Sequence, residues 1–202
     1  MIVISVPVDK DHKIDVRTAA YCSAEAMRLG VKWGYVASRE AGVGRSTFAY
    51  IAKKDPTVTH FYFVDSDVVP PPNTLKKLFD YDLPIVAGIY PMDVNGTICC
   101  SYKDNDAPET KGYGGWRLWN CPTKQTLVEA TAIGGSTLLV KREVFEKLER
   151  PPFKIIYKAI DDEGHAYDEG EDEYFSRIAR EAGYRIIVDP TIICKHYNYK
   201  EL

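Results

Sequence analysis

Asp65-Ser66-Asp67 sets two carboxylates one residue apart at the end of an apolar run, Phe61-Tyr62-Phe63-Val64. Carboxylate oxygens are favoured donors for hard divalent cations such as magnesium and manganese, which often share them with a substrate's phosphates. The same three residues are also ordinary turn formers after a strand. A second acidic stretch, Asp168-Glu169-Gly170-Glu171-Asp172-Glu173, opens what reads as a helix, where the macrodipole by itself favours one or two negative charges. His196 comes almost at the chain end and, taken alone, is a surface or packing residue. Gly42-Val43-Gly44-Arg45-Ser46 looks like a phosphate loop but lacks the Gly-Lys-Ser/Thr ending. It reads either as a plain loop into a helix or as a way for Arg45 to offer two donors to a diphosphate. Gly134-Gly135-Ser136 interrupts a strand-like run, as at a bulge or where a ligand comes close to the backbone.

The elements that must position these residues follow from periodicity. Ile2–Val8, Trp33–Ala37, Thr59–Val64 and Pro84–Tyr90 are short apolar runs expected as buried strands. Val16–Leu29 has helical spacing and Gly30 to close it; Arg45–Lys54 is a second helix. Pro70-Pro71-Pro72 stops the strand before it, and Asn73 is placed to cap a helix over Thr74–Asp80. Thr126–Val140 is strand-like around its glycines, Glu143–Glu149 a short helix, and Phe153–Ala166 a loop with short extended pieces. After the acidic stretch, Phe175, Ile178, Ala179 and Ala182 share one helical face that ends at Gly183; strands over Tyr184–Val188 and Thr191–Cys194 follow. Strand and helix alternate, which predicts βαβ units: a single α/β domain over residues 1–202, with a mostly parallel central sheet flanked by helices.

Composition narrows the class. With 202 residues, 45% hydrophobic and 27% charged, the chain has the make-up of one soluble globular domain. A net charge of −3 gives no general nucleic-acid patch and no attraction to anionic membrane. Five cysteines without a CxxC pair favour free thiols in a reducing compartment, and no run approaches a membrane span, so a cytoplasmic location is expected. The sequon Asn95-Gly96-Thr97 reads as a turn. Tyr102, Tyr113, Trp116 and Trp119 lie in an irregular stretch, able either to stack on sugar or base rings or to pack as a satellite core.

In order along the chain, the motifs resemble a family 2-like glycosyltransferase of the GT-A fold, which is Rossmann-like. The residues carrying the likeness are Phe63-Val64-Asp65-Ser66-Asp67 (a DxD), Gly134-Gly135-Ser136-Thr137-Leu138-Leu139-Val140, Gly170-Glu171-Asp172-Glu173-Tyr174-Phe175, the passage Arg177–Arg185, and Lys195-His196. The resemblance implies that Asp65 and Asp67 hold a Mn2+ or Mg2+ ion, with Asp67 the more direct ligand and Asp65 nearer the ribose. It implies that His196 completes the metal site. Asp172 corresponds to the catalytic base of inverting members, with Glu171 as its neighbour and second choice. Pro7 and Val8 would lie at the nucleotide base, and Ser66, Gly134 and Gly135 with the donor, which is a nucleotide-sugar with UDP favoured. The acceptor stays open: glycan, protein, lipid or modified nucleobase. An unperturbed aspartate has a pKa of about 3.9, which would leave Asp172 ionised at neutrality. Two departures from the pattern are visible: Ser38-Arg39-Glu40 has no aspartate, and no Asn-Glu follows the first strand.

Three rivals remain at this point. A nucleotidyltransferase shares the sheet and a carboxylate–metal site, but needs a glycine-rich basic loop after its first strand, where this chain has Val6-Pro7-Val8-Asp9-Lys10. A two-metal phosphoesterase needs a denser set of His and Asp. A noncatalytic carbohydrate-binding protein would use the Tyr/Trp stretch alone and leaves the spacing of residues 65–67, 171–172 and 196 without a purpose.

Overall fold

The computed structural model describes residues 1–11, 13–91, 100–102, 127–148, 151–158 and 167–197. In chain order the elements are β1 (Ile2–Val8), α1 (Val16–Leu29), β2 (Lys32–Ala37), α2 (Ala41–Lys54), β3 (His60–Phe63), β4 (Val68–Val69), α3 (Thr74–Asp80), β5 (Ile85–Ile89), β6 (Cys100–Tyr102), β7 (Val128–Ile133), β8 (Leu138–Lys141), α4 (Arg142–Lys147), β9 (Ile156–Lys158), β10 (Tyr167–Glu169), α5 (Glu171–Glu181), β11 (Ile186–Ile193) and β12 (Lys195–His196). The main sheet runs β2-β1-β3-β8-β5-β11-β7-β6. β1 pairs in parallel with β2 and β3, and β5 with β11. β8 runs antiparallel to β3 and β5, and β7 antiparallel to β11 and β6. The result is an α/β domain whose central sheet is mostly parallel.

The apolar runs are continuous because both faces of the sheet are covered. Phe61 and Phe63 of β3 enter one core, with Ile85, Ala87, Leu138, Val140, Phe153 and Phe175. Tyr62 and Val64 enter the opposite core, with Ile4, Val6, Leu75, Leu78 and Leu139. Successive strand residues point to opposite faces, so a strand with no polar alternation is one that water reaches on neither side. The first core is aromatic: Phe153 stacks on Phe175 at 4.6 Å and meets Phe63 edge-on at 5.6 Å. This packing fixes the end of β3, from which Asp65 and Asp67 project.

Four expectations are corrected. Gly42-Val43-Gly44 is not a loop but the first turn of α2. A Cβ at Gly42 would stand 2.9 Å from the Glu171 Cβ, and one at Gly44 would stand 3.1 Å from the Pro7 Cβ. These glycines let the helix lie close on β1 and α5. Asn73 has φ 68° and makes no side-chain cap; the adjoining turn is closed by Thr74, whose Oγ1 donates to the Pro71 carbonyl at 2.7 Å. The break at Gly134-Gly135-Ser136 is a crossover rather than a bulge. β7 lies beside β11, while β8 inserts between β3 and β5. The strands expected over 184–188 and 191–194 are a single β11, whose pairing with β5 shifts register between Val188 and Ile193.

The detour in β11 is held by a buried charge. Asp189 is fully buried and accepts from Lys77 Nζ at 2.6 Å, Tyr81 OH at 2.7 Å, Thr191 N at 2.9 Å and Thr191 Oγ1 at 2.6 Å. Burial alone would raise its pKa, but the bonds from Lys77, Thr191 and Tyr81 outweigh burial and hold it below the usual carboxylate value. A carboxylate with a depressed folded-state pKa contributes its full stability above the unfolded value, about 3.9, and loses it as pH falls through the folded value. Asp189→Ala is expected to cost about 2–3 kcal/mol near neutrality, the worth of charge-assisted bonds left unmade. Urea unfolding of both proteins, near neutrality and in strong acid, checks this: the gap between them should shrink in acid.

Candidate active site

The Asp65-Ser66-Asp67 turn is held from behind through its own backbone. The Ser66 carbonyl accepts from Asp15 N at 2.8 Å, the Asp67 carbonyl from Tyr197 N at 2.8 Å, and the Asp65 carbonyl from Val68 N at 3.1 Å. Ser136 Oγ accepts from Asp65 N at 2.9 Å. Just beyond the turn, Thr18 Oγ1 donates to the Val68 carbonyl at 3.1 Å. Asp15 is the N-cap of α1, so the start of that helix braces the turn. With these main-chain groups satisfied, the two carboxylates are the groups the turn still has to offer.

His196 reaches this turn because β12 pairs antiparallel with β4, setting His196 opposite Val68. Its Nε2 lies 3.3 Å from Asp67 Oδ2, and its Nδ1 is 2.6 Å from the Pro91 carbonyl. A carbonyl only accepts, so Nδ1 carries a proton, and neutral imidazole then turns the Nε2 lone pair toward a carboxylate. That arrangement is repulsive unless Nε2 is protonated or a cation lies between the two groups. The Asp67 carboxylate accordingly raises the pKa of His196, against the opposing effect of burial, with the Pro91 bond adding to the rise. Asp67 and His196 are therefore the two side chains here that could contribute to holding a divalent cation, with the backbone carbonyl fixing the ring as such second partners do. Among the described residues no group of three or more His, Cys, Asp or Glu side chains is set to hold a metal. Asp65 faces a different partner.

That partner is Arg45. The guanidinium is 1% exposed. Its Nη2 donates to Asp65 Oδ1, its Nη1 to Glu171 Oε1 at 2.9 Å, and Nη1 lies 3.3 Å from Asp172 Oδ1. The acidic stretch around α5 thus divides its work. Glu169 pairs with Arg177 through two bonds of 2.7 and 3.0 Å, and Glu173 accepts from Gly170 N at 3.1 Å. Glu171 and Asp172 turn to the site. Three carboxylates against one guanidinium leave a negative excess with little water to screen it. Burial, then Glu171 and Asp65, push Asp172 up to about 7, although Arg45 pulls the other way. The expectation of an aspartate wholly ionised at neutrality is corrected on that ground. Asp65 is raised too, by burial first, with Arg45 opposing and Asp67 adding to the rise.

The remaining expected residues border this centre. Pro7 and Val8 end β1 as buried residues, Pro7 directly beneath Gly44. Gly134 and Gly135 are buried in the crossover, and what approaches Gly135 is the Arg45 guanidinium, which a Cβ there would overlap. Two participants escaped the sequence reading. Ser136 takes the Asp65 amide, and Thr137 sits at φ 56°, a left-handed conformation costing a β-branched residue about 1–3 kcal/mol. Thr137 is held there by Cys194 Sγ, 3.0 Å from its Oγ1, and by Gly88 N donating to its carbonyl at 3.0 Å. Their only signal was the run of small residues before an apolar strand. Tyr113, Trp116, Trp119, Cys99, Cys121 and the Asn95 sequon lie outside the described residues. Cys22 and Cys194 are buried free thiols. Among the described residues no helix is long and apolar enough to cross a membrane.

Solved structures share this architecture. The structure of A197 from STIV matches with a TM-score of 0.66 at 17% identity, over 98% of this chain and 85% of that one. GalNAc-T7 with UDP, GalNAc and Mn2+ matches at TM-score 0.52 and 12% identity, over 99% of this chain and 44% of that one. The inositol-1-phosphate CTP transferase from T. maritima matches at TM-score 0.53 and 10% identity, over 98% and 89%. At these identities the likeness is one of fold. No protein-family model matches the sequence, and no curated protein matches it.

The fit of Gly135 against Arg45 is testable. Gly135→Ala should destabilise the protein by about 1–3 kcal/mol, the usual cost of forcing a side chain into packed space. Gly34→Ala, where a Cβ meets nothing within 4 Å, should change stability by less than about 0.5 kcal/mol. Thermal unfolding of the two variants side by side decides it.

Proposed function

We propose that this chain is a divalent-metal-dependent glycosyltransferase that moves a sugar from a nucleotide-sugar donor, UDP-sugar favoured, to an acceptor hydroxyl with inversion. The observation that carries the reading is the meeting of three distant segments at one place: the strand-end Asp65 and Asp67, the helix-start Glu171 and Asp172, and the late His196. Likeness of fold to GalNAc-T7, solved with UDP, GalNAc and Mn2+, supports it.

In this reading Asp67 and His196 hold Mn2+ or Mg2+, which when bound supplies positive charge against the diphosphate leaving group. Asp65 stands between that pair and Arg45, on the donor side. Asp172, with Glu171 beside it, takes the proton of the acceptor hydroxyl. A base separate from the metal ligands suits inversion, because the nucleophile attacks from the face opposite the leaving group. Asp172 works only when ionised, so turnover climbs as pH rises through about 7.

Nucleotidyl transfer is the alternative of related fold. That chemistry wants backbone amides and a cation around a triphosphate after β1. Here Asp9 Oδ1 accepts from Asp11 N at 3.0 Å and Lys13 N at 3.3 Å, so the turn is organised around a carboxylate. This disfavours a triphosphate.

Asp67→Ala should abolish manganese-dependent UDP binding measured by calorimetry. Asp172→Asn should retain that binding and lose about 10²–10⁴-fold in turnover, the usual worth of a positioned base. Turnover is read as nucleoside diphosphate released from a panel of nucleotide-sugars. Full turnover in Asp172→Asn would remove the base from the scheme. Pyrophosphate release from nucleoside triphosphate and sugar phosphate would favour the alternative.

A further inference from the structure

Of the two readings open for Arg45, a helix entry or a contact with a diphosphate, neither accounts for its place in the fold. It sits on the first half of α2, 1% exposed, with both Nη atoms engaged by carboxylates from two segments more than a hundred residues apart in sequence. The surrounding structure is shaped for it. Gly135 leaves the space its guanidinium fills, and Gly42 allows the Glu171 side chain to close against the helix that carries it. Its Nε and Asp172 Oδ1 are buried without a hydrogen-bond partner among the described residues. A guanidinium aimed at a ligand would keep its fork free; this one uses the fork inward.

We propose that Arg45 is a positioning residue, a buried cation that joins Asp65 on the donor side to the Glu171–Asp172 corner and fixes the separation and orientation of the two halves of the site. This rests on the transferase reading above. The planar fork is what the task requires, since Nη1 and Nη2 address carboxylates from different elements at once. Lysine brings the charge as a single point and cannot bridge both. Loss of the bridge shifts Asp172 relative to the donor without removing any group that touches it. Misplacement of about 1 Å is enough to cost about 10²-fold in rate.

Two measurements test this. In the kinetic arm, Arg45→Lys is compared with the wild-type protein for metal-dependent release of UDP from UDP-sugars. Positioning predicts that kcat falls by about 10²-fold, with KM and the calorimetric affinity for UDP and manganese changed by less than about threefold. A diphosphate ligand predicts the reverse split, weaker UDP binding at preserved kcat, and that result overturns the proposal. The second arm needs no substrate, so it stands apart from the transferase reading. Arg45→Gln should lower the thermal midpoint by leaving three carboxylates unpaired, and adding Asp172→Asn should restore part of it. Strictly additive losses would show that the two residues do not act as a unit and would also overturn it. Absence of turnover in the wild-type protein on every donor, with the second arm intact, would fault the assigned reaction and leave the bridge standing.

Discussion

One buried guanidinium faces three partly exposed carboxylates, and the arrangement of the site follows from the need to keep that cluster together. A buried guanidinium without a partner costs several kcal/mol, so Arg45 must stay with its carboxylates. This explains features far apart in sequence. α2 begins on two glycines because it must lie close enough to β1 and α5 for Arg45 to reach both sides. The crossover between β7 and β8 carries Gly135 because the guanidinium occupies the space where a Cβ would be. The sheet, apolar on both faces, supplies the dry surroundings that make these charges matter.

The site then has two electrostatic halves. On one side, Asp67 and His196 are held by a short β-ladder and a backbone carbonyl, in a geometry that calls for positive charge between them. On the other, Glu171 and Asp172 share the guanidinium of Arg45, and the Asp172 carboxyl is pushed up by burial and by its acidic neighbours. Asp65 belongs to both, adjacent to Asp67 in the turn and bonded to Arg45. Any change in charge on one side is felt on the other through that residue, in a medium that screens weakly.

Much of the fold was legible in the sequence because it rests on local signals. Buried strands declare themselves by continuous apolar runs, and α1 by its spacing and Gly30; β1 and α1 lie where the periodicity puts them. The reading failed where the determinant is a contact across the fold. Nothing local separates a glycine that frees a loop from one that admits a neighbouring side chain, so Gly42 and Gly44 looked like a phosphate loop. Nothing local places β8 between β3 and β5 while β7 goes to β11, since both are strand-like runs with small residues between them. The six-residue acidic stretch names no roles either: Glu169 finds Arg177, Glu173 turns back to Gly170, and only Glu171 and Asp172 meet Arg45. The motif order singled out Asp65, Asp67, Glu171, Asp172 and His196, but nothing local marks Arg45 as the cation that meets Asp65, Glu171 and Asp172.

Fold alone does not decide between sugar transfer and nucleotidyl transfer, for GalNAc-T7 and the CTP transferase resemble this chain about equally. Local chemistry has to. A triphosphate substrate needs amides and cations at the end of β1, and here that turn is folded around the Asp9 carboxylate. An acceptor hydroxyl needs a base away from the metal ligands, and the Asp172 carboxyl, with its pKa raised, meets Nη1 of Arg45 while Asp65 meets Nη2. In the proposed reading, the Asp9 carboxylate after β1 and the raised Asp172 carboxyl argue in the same direction. That agreement, more than any resemblance of outline, is the physical ground for preferring sugar transfer.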